Sequence, residues 1–173
     1  MRRALFLLLL LGACAGAPRQ PPVETVAQVD LARYAGTWFE IARFPNSFQD
    51  GSGRVCTHTT ATYTPKPDGT IGVTNRCRGA DGAPRVAEGS AYAVPGSGNA
   101  RLRVSFFWPF YGDYWVVGLD PAYRWAVVGA PGRDYLWVLS RTPSLAPGDY
   151  AEAVITAAQQ GFEVTRLVAT PQE

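Results

Sequence analysis

From Trp38 onward, short runs of β-branched and aromatic residues alternate with turn signals roughly every 8–14 residues, the pattern of an antiparallel sandwich or barrel. The runs predict eight strands, over residues 38–44, 54–63, 70–78, 86–94, 100–107, 114–120, 125–130 and 135–141. The connectors, among them Pro67-Asp68-Gly69, Ala80-Asp81-Gly82, Asp120-Pro121 and Pro131-Gly132-Arg133-Asp134, hold residues suited to tight turns, so each neighbour can pair antiparallel. Residues 149–160 then read as a helix with Tyr150, Val154, Ile155 and Ala158 on one face and Gly161 as its stop. A short ninth strand is expected over 164–168. The predicted fold is all-β: an eight-stranded up-and-down antiparallel barrel with a C-terminal α-helix packed outside. Eight strands close around an interior wide enough for one small ligand, and closure removes exposed sheet edges.

The first residues have a different character. Arg2 and Arg3 precede an unbroken apolar stretch over 4–11, and Leu11-Gly12-Ala13-Cys14 follows as a small-residue cleavage site ending in cysteine. Eight apolar residues rise only about 12 Å as a helix, too short to span a bilayer, so the stretch reads as an export signal. Its ending resembles a bacterial lipobox, which implies a signal peptide over 1–13 and acylation of Cys14. Ala15, at a position where Asp would imply inner-membrane retention, points to the outer membrane. Residues 14–28, with Pro18, Pro21 and Pro22, read as an acylated N-terminus and flexible tether without packed structure, leaving 29–173 as one domain.

Removal of Arg2 and Arg3 with the signal lowers the basic count from 16 to 14, against 14 acidic residues. A neutral domain without basic clusters excludes an electrostatic footprint for nucleic acid, and its route to a membrane is the lipid on Cys14.

Candidate chemistry is sparse. Cys56 and Cys77 lie in consecutive strands on either side of a turn near Pro67, where a constant index sum places them opposite or within one residue of it. An oxidising envelope favours a disulfide there. A metal site or reactive thiol is the alternative, with His58, the one histidine, as nearby partner. No G-x-S-x-G, zinc motif or phosphate-cradling loop occurs, and His58 has no recognisable catalytic partner. No enzyme, cofactor or metal is expected.

The apolar residues carry more. In Arg101-Leu102-Arg103-Val104-Ser105-Phe106, period-two alternation sets the arginines outside and Leu102, Val104 and Phe106 inside. Arg124 outside places Trp125 and Val127 inside, and Trp137 shares a face with Leu139. These residues either fill a small barrel or wall a cavity. The aromatics Phe106, Phe107, Trp108, Phe110 and Tyr111 are placed to line its mouth.

Three segments together resemble a known family. Tyr34-Ala35-Gly36-Thr37-Trp38 looks like the opening motif of the lipocalins, Gly112-Asp113-Tyr114-Trp115 the second, and Arg133-Asp134-Tyr135-Leu136-Trp137 through Arg141-Thr142-Pro143 the third. The resemblance covers about residues 30–168 and is nearest to the bacterial outer-membrane lipoprotein branch, similar to apolipoprotein D; Trp108 departs from it where a small residue is expected, implying a narrower entrance. It implies structural roles for Gly36, Trp38 and Arg141, with Arg141 stacked across the Trp38 ring at the barrel floor. It also implies a ligand site at Tyr111 and Trp137 walled by Leu102, Val104, Phe106, Trp125 and Val127. The expected ligand is a hydrophobic small molecule, a fatty acid or lysophospholipid, bound or transported in the envelope. The alternatives are an envelope enzyme acting on a lipid or isoprenoid and a structural lipoprotein with a filled barrel.

Overall fold

A computed structural model describes residues 20–51 and 55–172. The signal peptide, Cys14 and the predicted start of the second strand at Arg54 lie outside them. In chain order the elements are α1 (Leu31–Tyr34), β1 (Gly36–Arg43), α2 (Ser47–Asp50), β2 (Thr57–Pro65), β3 (Ile71–Arg78), β4 (Pro84–Ala93), β5 (Arg101–Phe107), β6 (Phe110–Leu119), β7 (Trp125–Gly129), β8 (Leu136–Ser140), α3 (Pro147–Gln159), a 3-10 turn (Val164–Arg166) and β9 (Val168–Ala169). The strand order is β2-β3-β4-β5-β6-β7-β8-β1-β9, and β1 also pairs with β2, which closes the barrel. Every pairing is antiparallel.

Two apolar layers follow from alternation. One lies inside the barrel and includes Trp38, Tyr63, Val73, Leu102, Val116, Val128 and Leu139. The other lies between the barrel wall and α3 and includes Val117, Trp125, Val127, Leu136, Val138, Ala153, Ala157 and Phe162. β7 is therefore buried on both faces, which explains why it reads as a continuous apolar run.

The helix differs from its predicted face by about one position. Its buried residues are Ala153 and Ala157, with Tyr150 packed beside them, while Ile155 is 56% exposed and Ala158 faces solvent. Small side chains dock because the approach is close: a Cβ on Gly118 would meet Thr156 Cγ2 at 2.8 Å. Gly161, at φ +79°, stops the helix as expected. The ninth strand is shorter than predicted, since a 3-10 turn takes up residues 164–166 before β9 pairs with β1.

The expectation of an unpacked tether fails for its described part. Val23 is buried under the outer layer, Val26 N–H donates to Val116 O at 2.9 Å, and Val29 N–H donates to Gly98 O at 2.8 Å. Pro21 and Pro22 keep this segment extended, and extended backbone with a valine at every third position, 23, 26 and 29, packs along a barrel wall as readily as it spans solvent.

Candidate functional site: the barrel interior and its two ends

The closed end is built around the first motif. Asp30 caps α1 by accepting from Ala32 N–H at 2.9 Å. Gly36 takes φ +91°, a conformation that disfavours any side chain. Trp38, fully buried, donates its indole N–H to Tyr34 O at 2.8 Å. The Arg141 guanidinium lies 3.9 Å above the Trp38 ring centroid and donates to Ala35 O and Thr37 O at 3.0 and 3.1 Å. This is the floor predicted for Gly36, Trp38 and Arg141. A void at this end, bordered by Leu31, Tyr34, Tyr63, Pro65, Ile71 and Leu102, measures only about 10 Å³, room for at most one water.

Above the floor the Tyr114 hydroxyl accepts from Tyr63 Oη at 2.8 Å and lies 2.8 Å from Tyr34 Oη. Burial holds all three phenols well above their ordinary range, helped at Tyr34 by neighbouring Tyr63 and at Tyr114 by both partners.

Toward the open end the inner wall changes composition. Facing pairs in a ladder share a side, so Ile71↔Ala91, Val73↔Gly89 and Asn75↔Ala87 set Ala91, Gly89 and Ala87 inward, and Val104↔Gly112 does the same for Gly112. Ala87 and Gly112 are exposed, and inward Val104, Phe106, Tyr114 and Trp137 are half-buried. The interior of the upper barrel is thus open to solvent between these small residues. Phe106 crosses it, as the Gly89 position would place a Cβ 2.9 Å from that ring. Asn75 Oδ1 is buried in this wall without a hydrogen-bond partner.

A buried polar network holds the segment between β1 and β2 at the open end. A bulge between Glu40 and Ala42 turns both Glu40 and Arg43 inward. Arg43 Nη1 donates to Glu40 Oε1 at 2.9 Å and to Thr170 Oγ1 at 2.8 Å, and the guanidinium also pairs with Asp50 of α2. For the Asp50 carboxyl, burial acts upward, but hydrogen bonds from Arg43 and Asn46 N–H hold it below its ordinary value. Gln49 donates to Glu40 Oε2 at 2.7 Å and accepts from Trp137 Nε1 at 3.2 Å. The C-terminal residues close the seam where β1 leaves β2: His58 N–H donates to Pro171 O at 2.7 Å, and Gln172 Nε2 reaches Glu40 O and Thr59 O. Cys56 and Cys77 form a disulfide at the rim, Cα atoms 5.4 Å apart, despite a bulge between Thr57 and Thr60 that shifts the register of that hairpin.

Leu102, Val104, Phe106 and Trp137 face the interior as predicted. Trp125 and Val127 do not: both lie in the outer layer beneath α3, and Ala126 and Val128 take the inward positions. Arg124, at the end of the β6–β7 turn and bound to Asp120, was an unreliable anchor for the alternation. Tyr111 also misses the cavity, since it packs on Tyr92, an outward residue 42% exposed, at 5.4 Å. Its neighbours in strand parity, Asp113 and Trp115, face outward against Arg103 and Arg101. Trp108 is 83% exposed at the hairpin tip and so does not narrow the entrance. Sequence reasoning missed Tyr34, Tyr63, Tyr114, Glu40, Arg43, Gln49 and Asn75; alternation from Trp38 gave a signal only for Glu40.

A closed eight-stranded antiparallel barrel, sealed at one end and open to solvent at the other, with an external helix, defines a calyx-shaped β-barrel. The chain belongs to the lipocalin family: the family model described as "Lipocalin-like domain" matches residues 29–172. It is 42% identical over 160 residues to "Outer membrane lipoprotein Blc" of Escherichia coli, covering 92% of this chain and 88% of that one. It is also 42% identical over 158 residues to "Temperature-induced lipocalin-1" of Arabidopsis thaliana, covering 87% and 83%. Among solved structures, insecticyanin from the tobacco hornworm superposes with a TM-score of 0.70 at 18% identity, over 88% of this chain and 85% of that one. Lipocalins are ligand-binding, non-enzymatic proteins, and hydrophobic ligand binding is implied here in general terms.

Proposed function

We propose that the protein binds a long-chain amphiphile, a fatty acid or lysophospholipid, with its acyl chain in the upper barrel and its head group near the open end. The observation that carries this reading is that small inward residues of the upper wall, Ala87 on β4 and Gly112 on β6, stand exposed to solvent above a packed floor. An acyl chain entering that space gains about 0.8 kcal/mol per methylene removed from water. About fourteen methylenes then supply about 11 kcal/mol, and about 4 kcal/mol of association cost leaves about 7 kcal/mol, an affinity in the micromolar range. Asn75 Oδ1, a buried acceptor without a partner, favours a ligand that brings a hydroxyl or amide donor, because satisfying it recovers a desolvation cost already present. Acylation of Cys14, after removal of residues 1–13, ties the domain to the outer membrane; the relatives named as outer membrane lipoproteins support this.

Native mass spectrometry of the protein extracted from its own membrane tests both parts. The expected spectrum shows one copurified amphiphile per chain and an N-terminal peptide beginning at acylated Cys14. A ligand-free chain that also fails to take up any added long-chain amphiphile counts against the binding reading, and an unmodified Cys14 against the anchor.

A further inference from the structure

The turn joining β5 and β6 sets Phe107, Trp108 and Phe110 at 81%, 83% and 76% exposure, above every other large apolar residue among those described. They stand at the open end: β5 starts beside the closed end, where Ala100 N–H donates to Ser97 O and Gly98 O binds the chain just ahead of α1, and it finishes at Phe107. Three adjacent aromatics left in water mark a contact surface for something apolar.

Where the chain leaves the fold identifies the occupant. Arg133 Nη2 donates to Pro21 O at 2.6 Å, and Arg133 lies in the β7–β8 turn, which is also at the open end because β8 runs from there down to Ser140 beside the floor. From Pro21 the segment descends the wall through Glu24, bonded to Gln160, then Val26 and Val29. Only six peptide units separate Cys14 from Gln20, a reach of at most about 20 Å in any conformation. A lipid on Cys14 therefore brings the bilayer to the open end and not to the floor. Exposed Arg76 and Arg78 at the end of β3 add cationic side chains on that side, with Asp81 weakly matched by Arg85 at 3.8 Å. Aromatic side chains flanked by arginine suit the interfacial zone of an anionic bilayer.

We propose that the open rim, led by Phe107, Trp108 and Phe110, sits in the interfacial layer of the membrane that Cys14 anchors, so that ligand passes between bilayer and barrel without crossing bulk water. The orientation rests on the acylation reading above.

The full chain, purified with its anchor, is reconstituted in vesicles of phosphatidylethanolamine and phosphatidylglycerol with or without brominated acyl chains. The expected result is a loss of tryptophan emission in brominated vesicles that is absent from Trp108→Phe, together with protection of Trp108 from aqueous acrylamide. Equal quenching of the two proteins overturns the proposal. Protection from acrylamide without quenching by brominated lipid also overturns it, because the rim is then covered by protein such as a second copy. The mass of the Cys14 peptide, read on the same sample, reports separately on the anchor: an acylated chain with unquenched Trp108 refutes the docked rim alone, and an unacylated chain with quenched Trp108 refutes the anchor alone.

Discussion

Tyr114→Phe removes one oxygen, and its effect exceeds that of either neighbouring replacement. The Tyr114 hydroxyl is the shared partner of Tyr34 and Tyr63, at 2.8 Å from each. Its loss leaves two hydroxyls in the barrel without a partner, at about 1–3 kcal/mol each, and the half-buried position of Tyr114 favours the lower end. The expected destabilisation is about 2–4 kcal/mol, a large share of the roughly 5–15 kcal/mol typical of a domain. Tyr34→Phe keeps the Tyr63–Tyr114 bond and costs about 1 kcal/mol. Urea unfolding of the three proteins at neutral pH, with unchanged m-values, measures the order. The alkaline limb gives a second reading. Because the phenols titrate above their ordinary range in the folded state, the unfolded chain loses protons first above about pH 10. Stability is intact below that pH and falls above it, by up to about 1.4 kcal/mol per pH unit for each phenol. Tyr114→Phe should shallow that fall. A Tyr114→Phe protein no less stable than Tyr34→Phe refutes the shared-hydroxyl account.

Four further outcomes are expected. Arg141→Ala strips the cation from the Trp38 ring and frees the carbonyls of Arg33, Ala35 and Thr37 at the floor, lowering stability by about 2–4 kcal/mol in thermal unfolding. Replacing Cys56 and Cys77 together with Ser opens a loop of separation 21, and chemical denaturation should register a loss of about 3 kcal/mol. Gly118→Val pushes Thr156, and with it α3, away from β6; proteolysis of the C-terminal helix should accelerate while the barrel's strand signal in circular dichroism persists. The Asp120 carboxyl is held below its ordinary value by hydrogen bonds from Arg124, against burial. Its contribution is present above the usual aspartate range and is lost as pH falls through the depressed folded value, so Asp120→Asn should flatten the acid limb of stability against pH.

Strand number, turn positions, the external helix and the floor of Gly36, Trp38 and Arg141 were all legible, because each is a local pattern or a motif. Which face of a strand points inward was legible only where a reliable anchor existed. In β5 the arginines provided one, and Leu102, Val104 and Phe106 came out correctly. β7 is buried on both faces, so alternation carried no contrast there; the better anchor was its partner, since Val128 faces Trp137 across the β7–β8 turn. Tyr111 misled because it stands in an aromatic cluster whose members divide between the rim and the outer wall. The Glu40–Arg43–Asp50 network depends on a bulge in β1 and on the chain end returning to the seam, neither of which leaves a mark in hydrophobic period. Small inward residues were equally silent, because alanine and glycine in a strand read as weak packing and not as deliberate space.

The most direct test of the hollow is a fluorescence titration of the delipidated full chain with a long-chain fatty acid, repeated with Ala87→Trp, which inserts bulk at an inward, solvent-exposed position of the upper wall. The account predicts saturable one-to-one binding near micromolar concentration for the parent and affinity at least roughly tenfold weaker for the filled variant, a difference of about 1.4 kcal/mol. No saturable binding by the parent, or equal affinity in both proteins, contradicts it.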